Sequence, residues 1–90
     1  MAVPGVFALV LSLCINAASC NDYVIDSSPK EADCHQMLES YGDSFSVAWG
    51  SDYANSDLKL WLKPYNIIEP IERVTDYDFT CPFIPDEQMP

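Results

Sequence analysis

Residues Met1 to Cys20 hold no Asp, Glu, Lys or Arg, so the terminal amine is their sole formal charge. The whole chain of 90 residues has only four basic residues, Lys30, Lys59, Lys63 and Arg73, against 14 acids, for a net charge of −10. That balance excludes nucleic acid as a partner, because phosphate neutralisation needs a basic face. It also disfavours anionic membrane surfaces. Three glycines are too few for a phosphate-cradling loop. There is no Cys-x-x-Cys pair, no internal repeat and no N-glycosylation sequon, since Asn55-Ser56-Asp57 fails the motif at its third residue. No apolar run reaches the length of a membrane-spanning helix.

The uncharged start has its own pattern. Val6 to Ile15 is almost wholly apolar, and Ala17, Ala18 and Ser19 are small. A short apolar core followed by a small-residue region predicts a secretory signal peptide over 1–20, cleaved after Ser19 or Cys20. A bacterial lipoprotein acylated at Cys20 is the rival reading. Cleavage leaves a mature chain of 70 residues from Asn21 to Pro90, one small acidic domain over 21–81 with a Pro-rich flexible tail over 82–90. Cys14 and Cys20 leave with the leader. The remaining pair predicts a Cys34–Cys81 disulfide in an oxidising compartment, a staple of the kind that small domains need. The location is then extracellular.

Within the mature chain, Ser28-Pro29-Lys30-Glu31 fits a helix start, with Ser28 as cap and Pro29 in the first turn. Cys34, Met37, Leu38 and Tyr41 follow at helical spacing, and Gly42 offers a stop, so the pattern predicts a helix over Pro29 to Tyr41. Phe45, Val47 and Trp49 alternate with small and polar residues and predict a strand. Gly50 to Asp57 reads as a loop. Leu58, Leu60 and Leu62 alternate with Lys59, Trp61 and Lys63 and predict a second strand, with Trp61 opposite the leucines. Tyr65 to Pro70 is ambiguous. Ile71 to Cys81 predicts the third strand, with Tyr77, Phe79 and Cys81 inward. The expected fold class is α+β: one N-terminal amphipathic helix packed on a small antiparallel sheet of about three strands, with one disulfide.

Catalytic constellations are not legible. His35 is the only histidine, and with Glu39 four residues later it supplies two metal ligands where a zinc site needs three or four. Nothing resembles a nucleophile elbow. The expectation is a non-catalytic protein with no cofactor and no metal. The aromatic content is more suggestive: Tyr23, Tyr41, Trp49, Tyr53, Trp61, Tyr65 and Tyr77 are many amphipathic rings for so short a chain. Rings beside carboxylates suit organic cations. Core packing is the plainer role for Trp49. Trp49, Trp61 and Tyr65 are the candidate ligand-binding residues, for a small cationic or amphipathic ligand. The competing class is a protein-interaction module or secreted effector whose acidic surface meets a basic extracellular protein. A third reading is a truncated product without activity.

Ala48-Trp49, then Leu60-Trp61-Leu62-Lys63, Tyr65-Asn66 and Cys81, resemble the N-terminal portion of the tick salivary lipocalins, the histamine-binding family. The resemblance implies a secreted, disulfide-bonded β-barrel protein that sequesters biogenic amines or lipid mediators. Eight strands of about nine residues need more chain than this, so only the start of such a barrel would be represented. The order Cys34, Trp49, Cys81 is also similar to that of an immunoglobulin-type sandwich, with Phe79 where that fold's corner tyrosine stands.

Overall fold

The computed structural model describes residues 4–16, 19–68 and 70–85. Among these residues the fold is α+β, with two helices, two short 3-10 turns and an antiparallel four-stranded sheet.

The apolar run Gly5–Ile15 is strand β1, and it lies in the middle of the sheet. Ala8, Leu9, Val10, Leu11 and Leu13 are all buried on it. Ala8 and Val10 are buried as well as Leu9 and Leu11, which accounts for the lack of alternation over these four residues. Strand β2, Ser19–Ser28, pairs with one edge of β1 from Ile15↔Ser19 to Phe7↔Ser28. A bulge between Leu9 and Val10 leaves Ile25 as the extra residue. Strand β3, Asp76–Thr80, pairs with residues Val10–Cys14 on the other edge, and strand β4, Phe83–Pro85, continues along that edge at Gly5–Phe7. Between them the Ala8 amide donates to the Pro82 carbonyl at 2.9 Å. Gly5 permits this closure. A Cβ there would meet the Ile84 carbonyl oxygen and lie 2.7 Å from the Phe83 ring.

Helix α1, Glu31–Trp49, and helix α2, Ala54–Leu62, cover the sheet face that carries Leu11, Leu13, Tyr77 and Phe79. Phe45, Ala48, Leu58, Leu62, Ile67, Ile71 and Val74 complete the core. Helix α1 begins two residues later than predicted. Lys30 is its cap residue with extended backbone, and the Ser28 hydroxyl accepts the Lys30 amide at 3.2 Å. The helix also runs through Gly42 instead of stopping there.

The expected strand Phe45 to Trp49 is therefore the C-terminal end of α1, with Phe45 and Ala48 buried and Val47 76% exposed. The expected strand Leu58 to Lys63 is α2 and its continuation: Leu58 and Leu62 are buried and Leu60 is 67% exposed. Positions four apart share a face in both periods, but only a helix turns the intervening residue outward. The third expected strand survives in its second half as β3, while Ile71–Arg73 forms a 3-10 turn. The single expected helix is thus two, the three strands are four, and the sheet's middle strand is the segment read as a leader.

There are also two disulfides instead of one. Cys34–Cys81 ties α1 to the residue after β3, as expected. Cys14–Cys20 joins directly paired positions of β1 and β2. In the tail read as flexible, residues 83–85 are β4; residues 86–90 lie outside the described residues, as do residues 1–3, 17 and 18 of the segment read as a leader. Among the described residues no helix is long and apolar enough to cross a membrane.

Candidate functional site

Two of the three predicted ligand-binding residues come together. Trp61, on α2, packs at a tilt with its ring 5.4 Å from that of Tyr65, in the 3-10 turn Lys63–Tyr65 that follows. Tyr41 meets Trp61 edge-on at 6.3 Å. The Trp61 indole N–H donates to the Ser44 hydroxyl at 3.1 Å. Trp49 lies apart, at the end of α1, against Phe45 at 6.1 Å and Tyr77 at 4.8 Å. Phe45 is fully buried and joins the two groups, since it also touches Trp61, Tyr77 and Phe79. The rings thus spend much of their faces on one another, which is how aromatic pairs stabilise a small core. Both tryptophans keep partial exposure.

One carboxylate joins this cluster. The Tyr41 hydroxyl donates to Asp26 on β2 at 3.1 Å. Burial pushes the Tyr41 phenol above its ordinary value, and the Asp26 hydrogen bond and charge push it further, with Tyr65 adding to the effect.

A further concavity lies elsewhere. A groove of 410 Å³ runs beside the C-terminal end of α2, lined by Lys59, Leu60, Leu62, Lys63, Asn66, Ile67, Ile68 and Ile71. Its shape follows from a reversal of the chain. Asn66 sits in the left-handed region at φ 57, its amide donates to the Lys63 carbonyl at 3.1 Å, and the Ile67 amide donates to the Leu62 carbonyl at 3.5 Å. This double closure is a Schellman motif, with Asn in the place that glycine usually takes. Ile67 and Leu62 both join the core cluster, the apolar contact that accompanies the motif. Ile68 follows at 94% exposure, and with Leu60 it forms an apolar rim. Lys59 and Lys63, one helical turn apart, give this rim its charge.

None of Trp49, Trp61 and Tyr65 lines this groove; Trp49 lines a smaller cleft of 180 Å³ with Leu58, Ile71, Glu72 and Val74. The sequence reading missed the groove because it paired Leu60 with Leu58 and Leu62 on an inward face. An available signal was Asn66-Ile67 after the Pro64 break, a helix-end pattern.

Elsewhere, Asp22, Asp76 and Asp78 flank Ser12 and Cys14 across three strands, and the Ser12 hydroxyl donates to Asp22. This face is acidic and exposed at each Asp. His35 and Glu39 are exposed on α1. No group of three or more metal-ligating side chains forms among the described residues. Comparison with family models, curated proteins and solved structures finds no match.

Proposed function

We propose that this chain is a non-catalytic extracellular binding protein that takes small amphipathic molecules in the groove beside α2. The two disulfides fit an oxidising compartment. The observation that carries the reading is the groove's composition. Leu60 and Ile68 stand exposed at a concavity whose floor is Leu62, Ile67 and Ile71. Its 410 Å³ falls within the usual range for small-molecule sites, roughly 300–1,000 Å³. Apolar surface held open beside charged groups gains free energy from covering by a molecule that has both characters.

Nile red, an uncharged apolar dye, tests this. Saturable binding with a blue-shifted emission is expected, weakened about tenfold, roughly 1.4 kcal/mol, when Leu60 and Ile68 are both changed to Ser. Binding that does not saturate, or that ignores the double substitution, contradicts it.

The Asp26 carboxylate beside Tyr41 favours a second reading, in which an organic cation sits against Tyr41, Trp61 and Tyr65. Saturable quenching of tryptophan fluorescence by histamine or serotonin supports it, and unchanged emission removes it.

A further inference from the structure

In a chain of net charge −10, two of only four basic residues stand at one apolar groove. The charged residues that line the groove are both lysines, and no carboxylate lines it among the described residues. Among those residues no carboxylate pairs with either ammonium group. Nor does the helix end need them as hydrogen-bond donors, because the Asn66 and Ile67 amides already satisfy the Lys63 and Leu62 carbonyls. The spacing of Lys59 and Lys63 places them on neighbouring turns of one helix face, with Leu60 between them at the rim. Two lysines one turn apart, with no carboxylate beside them among the described residues, make a local positive site inside a negative field.

We infer that the groove selects amphipathic carboxylates, with the carboxylate held between Lys59 and Lys63 and the hydrocarbon chain laid on Leu60, Ile67, Ile68 and Ile71. This rests on the reading of the groove as the ligand site and names the ligand's class. A long-chain amine carries the same hydrocarbon but meets two like charges at the rim. Charge-assisted hydrogen bonds from lysine to carboxylate favour the acid over its amine or alcohol counterpart. The preference runs against the overall charge of the protein, which by itself draws cations, so it is a local property of the groove.

The experiment is displacement of bound Nile red by decanoate, decylamine and decanol from the full disulfide-bonded chain. Decanoate is expected to displace the dye at least tenfold more tightly than decylamine, with decanol between them. Raising the salt concentration should narrow the gap. In Lys59→Gln/Lys63→Gln the gap should close when each competitor is scored against that variant's own Nile red affinity, and an unchanged circular-dichroism spectrum shows that the fold is intact. Dye binding with no preference for decanoate, or a preference that survives the double substitution, overturns the inference and leaves the amphipathic groove standing. Failure of the dye itself to bind removes both.

Discussion

Phe45 is the side chain on which the packing converges. It is fully buried and touches Trp49, Trp61, Tyr77 and Phe79, with ring centroids from 4.6 to 6.1 Å. Phe45→Ala is expected to cost about 3–5 kcal/mol in denaturant unfolding, since neighbouring rings cannot all collapse into the space. Val47→Asp, two residues away, should change stability by no more than about 0.5 kcal/mol, because that side chain points to solvent. A strand at this place would reverse neither residue's role so sharply, so the pair also reads out the helix. Tyr41 gives a pH signature. Its phenol ionises above the ordinary range because of burial first and Asp26 second. Its contribution to stability is present in full below the unfolded tyrosine value of about 10 and fades as pH rises through the higher folded value. Ultraviolet titration should show Tyr41 titrating late, and Asp26→Asn should bring it part of the way back. No change in that tyrosine would contradict the contact.

The elements show which parts of the pattern were readable. The stripe Cys34, Met37, Leu38, Tyr41 was legible as helix, and it is helix. Its continuation through Phe45, Ala48 and Trp49 holds the same spacing, but Gly42 masked it. That glycine has negative φ and ends nothing; a Cβ on it would only reach ordinary contact with Phe79 at 3.9 Å. In Leu58 to Leu62, alternation and helical spacing share the two ends, and only the burial of Leu60 separates them. A nine-residue segment cannot decide this locally; packing against α1 and the sheet does. The alternation Tyr77, Phe79 was legible because it rests on a short-range rule, whereas Cys34–Cys81, 47 residues apart, was reached by setting aside Cys14 and Cys20, which pair with each other. The groove was not, because it depends on Asn66 reversing the chain. Asn66→Ala should destabilise by about 1–2 kcal/mol, as a left-handed position demands, while Asn66→Gly should be close to neutral. Equal effects from both would remove the Schellman account.

At the scale of the whole molecule, β1 carries the greatest consequence. The same apolar residues that satisfy a leader pattern also satisfy a middle strand, because Ala8, Leu9, Val10 and Leu11 are all buried. In the folded chain β2, β3 and β4 all pair with β1. The two disulfides fasten this sheet unequally. Cys34–Cys81 closes a separation of 47 residues and Cys14–Cys20 one of 6. On the chain-entropy account their loss costs about 4 and about 2 kcal/mol respectively. Unfolding of Cys34→Ala/Cys81→Ala beside Cys14→Ala/Cys20→Ala measures that order, and the reverse order would contradict it. With the sheet fixed on one side, the helices hold the aromatic cluster between the layers and leave the α2 groove at the surface.

Whether that groove is the working surface is settled most directly by amide chemical-shift mapping during titration with decanoate. Saturable shifts concentrated on Lys59, Leu60, Lys63, Asn66, Ile67, Ile68 and Ile71 are predicted. Shifts centred on Tyr41, Trp49 and Trp61, or no saturable shift anywhere, would contradict the account.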